Sequence, residues 1–124
     1  MNGIVDSEGR SLLAIEVRAN PTSQAMATDV WIDTGFTGDL VLPKSIIRSM
    51  ALPHSGSVDA ILADGSQIAC STYTCFIEWF GQERRLEVVA NGGDYPLLGV
   101  GLLAGLELRI DYHDGKLTLT RRHP

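Results

Sequence analysis

The stretch VWIDTGFTGDLVLP, residues 30–43, decides how this chain is read. An apolar run delivers a single Asp into a glycine-bearing turn, and a second apolar run follows at once. The letters TDVWID alternate with period two, so Asp29, Trp31 and Asp33 share one strand face while Val30 and Ile32 share the other. Asp33 therefore emerges at a strand end beside an indole. Thr34-Gly35 lets the backbone turn tightly, because glycine accepts positive φ and brings amides near a carboxylate. Such amides favour the charged form of the acid, whereas a second carboxylate nearby resists double ionisation. Taken alone, Asp33 reads as an ordinary turn aspartate.

Working outward, period two dominates. Residues 11–19 and 25–33 read as a strand pair around the turn NPTS, and 40–42 as a short buried strand. Residues 43–52 predict a short helix with Pro43 at its first position and Ile46, Ile47 and Met50 on one face. Strands at 57–63 and 67–80 flank Asp64-Gly65, a strong hairpin signal, and 82–90 is another strand. Residues 91–96 read as loop, 97–106 as a buried strand leading into a short helix, and 106–121 as a hairpin around His113-Asp114-Gly115. The class expected is mainly β, a closed or partly open barrel or a sandwich with one or two short helices.

At 124 residues the chain is expected to form one domain, 1–124. Hydrophobic residues make up 44 % and charged residues 20 %, ordinary values for a soluble globular protein. A net charge of -5 gives no reason to expect a nucleic-acid or anionic-membrane partner, although the final TRRHP is basic. No apolar run approaches a membrane span and the first residues lack a signal-peptide pattern, so a cytoplasmic location is expected. Cys70 and Cys75 fall on opposite faces of one strand, roughly 16 Å apart, too far for a mutual disulfide. Both are expected to be buried and reduced, and no cluster of Cys or His suggests a metal. His54, His113 and His123 are placed in turns or the tail and given no chemistry.

The segment WIDTGFTGDLVLP resembles the active-site segment of the retroviral-type (retropepsin-like) aspartic proteases: two apolar residues, Asp-Thr-Gly, then Leu-Val-Leu. The tripeptide alone is weak, expected by chance in roughly a few per cent of chains this long. Further matches follow in the family's order. An Asp-Gly-tipped hairpin stands where the family keeps its flap. LLG (97–99) matches the apolar-apolar-Gly signature that packs against the catalytic turn, and VGLLAGL and a C-terminal strand pair come after it. The likeness runs from about residue 10 to 121. Phe36 departs from the small residue usual after Asp-Thr-Gly, and the hairpin tip ADGSQ carries one glycine instead of several.

The resemblance implies a closed or partly open retropepsin-like β-barrel and an aspartic endopeptidase acting on extended peptide or protein substrates. Such chemistry needs two carboxylates sharing one proton. One Asp-Thr-Gly is present, so the second Asp33 comes from another copy across a two-fold axis, making a homodimer. By resemblance Thr34 braces the two turns, Gly35 offers its carbonyl to substrate, and Trp31, Tyr95 and Leu97 line side-chain pockets. Phe36 edges the cleft, and Asp64 and Gly65 close over the peptide. Neither cofactor nor metal is implied, because water is the nucleophile. The C-terminal strand 116–121, with Leu117 and Leu119 alternating, is the expected interface strand because its edge would otherwise be exposed. A homodimeric peptide-binding module of the same fold, without turnover, is the second reading. An aspartyl-phosphate nucleophile lacks a phosphate cradle and a second Asp cluster.

Overall fold

Leucine- and β-branched-rich runs separated by glycine turns build ten strands and one helix among the described residues, 1–91 and 93–122 of a computed structural model. In chain order these are β1 (Asn2–Val5), β2 (Ser11–Arg18), β3 (Met26–Ile32), β4 (Leu40–Pro43), α1 (Lys44–Met50) and β5 (His54–Ile61). They continue with β6 (Gln67–Trp79), β7 (Gln82–Asn91), β8 (Leu97–Leu98), β9 (Leu106–Asp111) and β10 (Lys116–Arg121).

The strand order is β5-β6-β7-β4-β8-β3-β2-β1-β10-β9, and a further pairing of β6 with β2 closes a six-stranded barrel from β2, β3, β8, β4, β7 and β6. Closure occurs at Val17↔Ile77 and Arg18↔Phe76. Two arms leave the barrel. β5 extends β6 as a hairpin, and β1, β10 and β9 extend from the start of β2. The period-two pattern supplies the core: Leu13, Ile15 and Val17 point inward from β2 while Ala14 and Glu16 face out. Val30, Leu40, Leu98 and Leu119 are fully buried in the same cluster. Each such side chain contributes about 1.5–3 kcal/mol by leaving water.

Several expectations are corrected. Pro43 ends β4 with ψ 147° and caps the helix from outside, so α1 begins at Lys44; Ala51 at φ 53° ends it. Ile47 is buried and Ile46 and Met50 pack on the core, as their spacing predicts. Among the described residues beyond Leu98 there is no second helix. Leu102 N–H donates to Gly99 (3.2 Å), Leu103 to Val100 (3.1 Å) and Leu106 to Leu103 (3.0 Å), a chain of tight turns. Three glycines in seven residues disfavour a continuous helix there. β5 starts at His54, which is therefore in a strand and not a turn, and it ends at Ile61.

β1 was not legible in the sequence. Its Gly3 lies so close to the Leu12 carbonyl that no side chain would fit, which lets the strand enter between β2 and β10. That insertion removes the expected exposed edge of 116–121. β10 is flanked by β1 and β9, and Leu117 and Leu119 are buried in the core instead of lying at an interface. Both cysteines are free; Cys75 is buried but Cys70 is only half-buried. His123 lies outside the described residues.

Candidate active site

Asp33 directly follows β3, and its position is fixed through the backbone. β8 lies between β3 and β4, parallel to the first and antiparallel to the second. Asp33 N–H donates to the Leu98 carbonyl at 2.8 Å. The chain then loops out and returns, and four further backbone bonds lock it. Phe36 N–H reaches the Asp33 carbonyl (3.2 Å), Gly99 reaches Asp39 (2.9 Å), Val100 reaches Phe36 (2.8 Å) and Gly101 reaches Gly38 (3.0 Å). The Gly35 amide donates to the Asp33 carboxylate at 2.9 Å, the tight turn expected of Thr34-Gly35. Asp33 is half-buried, and Thr34 and Gly35 are exposed.

LLG requires its glycine for a reason visible in this lock. A Cβ on Gly99 would meet the Gly38 carbonyl, the Phe36 ring at 2.5 Å and the Phe36 carbonyl at 2.7 Å. Gly38 is equally constrained, since its Cβ would meet the Phe36 ring at 2.5 Å. The two glycines make the bed in which the Phe36 ring lies. The bulky residue is thus accommodated by glycines at 38 and 99.

A cleft of about 610 Å³ opens beside the loop, lined on one wall by Gly35, Phe36 and Thr37 and on the other by Val58, Ala60 and Ile61 of β5. Of the residues expected in substrate contact, Phe36 lines it together with Gly35. Val58, Ala60 and Ile61 were missed by sequence reasoning. Val58 and Ile61 are large apolar residues left 38 % and 73 % exposed on a hairpin strand, a pattern that suits a binding wall but shows only once the arm is folded.

Trp31, Tyr95 and Leu97 form a separate group outside this cleft. The Trp31 indole meets Tyr95 edge-to-face at 6.0 Å, and Trp31 pairs in register with Leu97. Trp31 N–H also donates to the Pro96 carbonyl at 2.9 Å. Arg10 covers the Tyr95 ring at 4.6 Å and is held by Asp6 at 2.7 Å. The Arg10 amide and guanidinium hold the Asp6 carboxyl below its usual range, and the hydrogen bond to Asp6 pushes Arg10 further up. Trp31 is 38 % exposed, a surface residue and not core.

Asp64 and Gly65 cap the β5–β6 hairpin and do not line the cleft. Gly65 takes φ 85° and its amide bonds the Leu62 carbonyl at 2.9 Å. Asp64 accepts the Ser66 hydroxyl (2.6 Å) and amide (2.9 Å), contacts that hold its pKa below the ordinary value. The tip is a self-contained turn.

Solved structures share this fold. A retropepsin-like aspartic protease from Rickettsia conorii superposes with a TM-score of 0.65 at 18 % identity, over 98 % of this chain and 89 % of that one. This chain has the retropepsin-like fold. The protease of EIAV, complexed with an inhibitor, matches at 0.55 and 14 % identity over 79 % of this chain and 88 % of its own. The protease of simian foamy virus (mac) matches at 0.50 and 18 % identity over 73 % and 91 %. No protein-family model and no curated protein sequence matches the chain. The retropepsin-like fold is thus carried by backbone architecture at identities below 20 %. No helix among the described residues is long and apolar enough to cross a membrane.

Proposed function

We propose that this protein is an aspartic endopeptidase that works as a homodimer. The observation carrying the proposal is the placement of Asp33: half-buried at a strand end and backbone-locked to Leu98, in a turn whose following residues, from Gly35 to Asp39, line an open, partly apolar cleft that Asp33 itself does not line. One chain, residues 1–124 taken as a single retropepsin-like unit, supplies one such acid. Two-fold symmetry supplies the other, since identical residues meet at the axis. The pair shares one proton.

The ionised carboxylate takes a proton from water, whose oxygen attacks the scissile carbonyl carbon while the protonated partner donates to the carbonyl oxygen. The tetrahedral diol then collapses, the C–N bond breaks, and the leaving nitrogen receives the proton. Exposed Thr34 is free to brace the second turn, and the Gly35 carbonyl to receive a substrate amide. Val58 and Ile61 suit an extended peptide with apolar side chains, held by main-chain bonds. Trp31, Tyr95 and Leu97 extend the site toward the second protomer, with Asp64 and Gly65 at the closing arm. Free cysteines fit a reducing, cytoplasmic setting.

A second reading, a peptide-binding module without turnover, is favoured by one feature, the Phe36 ring in the cleft wall. Cleavage of a peptide library at mildly acidic pH separates the two. Wild-type cleavage that vanishes in Asp33→Asn supports the enzyme. Cleavage surviving that substitution, or none from the wild type, contradicts it.

A further inference from the structure

β6 outruns the strand beside it. The ladder between β6 and β7 ends at Thr72↔Val89, and β4 ends next to β7 at Pro43↔Asn91, yet β6 extends back to Gln67 near the hairpin tip. Past that point the chain of β4 continues as α1. Between the outer edge of β6 and α1 lies a slot of about 560 Å³, in the place a longer β7 would fill. It shares no lining residue with the cleft beside the Asp33 loop.

The orientation of the β6 backbone along the slot follows from its two ends. Leu62 N–H donates to the Ser66 carbonyl at 2.8 Å, and Thr74 N–H donates to the Pro53 carbonyl at 2.9 Å. Even-numbered residues of this run therefore turn their main-chain groups to the β5 side. The register irregularity falls in β5, between His54 and Gly56, so β6 keeps its alternation. The N–H and C=O groups of Gln67 and Ala69 point the other way, where no strand pairs with them among the described residues, and Ala69 lines the slot. An edge of this kind accepts an added strand.

Charge selects what is added. Lys44 and Arg48, both exposed and one helical turn apart in α1, line the slot, and no carboxylate lines it. Neither cation has an ion-pair partner among the described residues. On a chain of net charge -5 this is a local cationic rim. Buried Ile47 and Ala90 and half-buried Tyr73 supply apolar surface within it, and Ile68 is 45 % exposed on the β6 wall. The cleft has the opposite character, because Asp39, Asp59 and Glu87 line it and neither Lys nor Arg does. An acidic chain is therefore drawn to the slot and repelled from the cleft.

We propose that the slot is a docking site for an acidic, extended peptide segment of a partner protein, which adds to the outer edge of β6 as a strand. Gln67 and Ala69 supply the main-chain bonds, alternate apolar side chains cover Ile47 and Ala90, and carboxylates meet Lys44 and Arg48. The site goes beyond the cleavage reading and depends on neither turnover nor dimerisation.

The test uses a fluorescein-labelled peptide of alternating Glu and Val with the full chain carrying Asp33→Asn, so that the probe stays intact. The peptide should bind, shift the backbone amide resonances of Gln67 and Ala69 while leaving those of Thr37 and Gly38 in the cleft, and slow alkylation of Cys70, which lines the slot. Lys44→Glu with Arg48→Glu should weaken binding about tenfold or more, and both positions are exposed, so the melting temperature should hold. N-methylation of one alternate set of peptide amides should abolish binding, and of the other set should not. No binding, binding that survives the double charge reversal, or shifts confined to Thr37 and Gly38 would overturn the proposal. So would equal tolerance of both N-methylated peptides, or full competition by inorganic phosphate at matched ionic strength, which would leave an anion site only. Shifts at Gln67 and Ala69 that grow with protein concentration alone would assign the slot to a second copy and overturn it too.

Discussion

The amide of Asp33 donates to the carbonyl of Leu98 at 2.8 Å, so a residue 65 positions downstream sets where the acid stands. Gly99, next in line, holds the returning loop at a distance no side chain permits. Gly99→Ala should therefore destabilise the protein by about 1–3 kcal/mol or more, because backbone and not a flexible side chain must yield. Denaturant unfolding would measure it, and cleavage should fall even in the folded fraction.

An active centre shared between copies predicts dominant interference. When wild type is equilibrated with an equal amount of Asp33→Asn, about a quarter of the dimers retain both acids, because subunits pair at random across the axis. Specific activity per wild-type chain should fall by about half, and further with excess variant. Activity independent of added variant would indicate a centre complete in one chain.

Asp6 predicts an acid-side dependence of stability. Its folded-state pKa lies below the ordinary 3.8, chiefly through the Arg10 amide. The unfolded chain then takes up the proton first on acidification, so the contribution is complete above the unfolded value and is lost as pH falls through the folded one. Melting temperature measured from pH 5 downward should drop less steeply in Asp6→Asn than in wild type.

The thiols should differ in reactivity. Burial, with a smaller push from Asp39, raises the Cys75 thiol to about 12, so it carries almost no thiolate at neutral pH. Cys70 is half-buried on the same strand. One thiol per chain should react in the folded protein and both after denaturation, as read by labelling and mass.

Much of the barrel was legible because its strands alternate cleanly, as in SLLAIEVR with Leu13, Ile15 and Val17 inward. Asp-Gly at 64–65 marks a hairpin, whereas the turn between β6 and β7 places Phe80 itself at φ 52°. What escaped was non-local. β1 has only four residues and is held by contacts with residues near 12 and 117. The helix expected after Leu98 became turns because backbone bonds to residues 36–39 compete for its amides. In the site, the Asp33 turn followed from local chemistry, whereas the cleft wall from Val58 to Ile61 depends on where the hairpin arm folds over.

In the proposed dimer two Asp33 side chains meet at the two-fold axis. A crystal structure of the dimer, with or without a transition-state mimic, measures it directly. The two carboxylates should lie about 3 Å apart, close enough to share a proton. Carboxylates separated beyond the reach of a bridging water, in every two-fold assembly present, would contradict it.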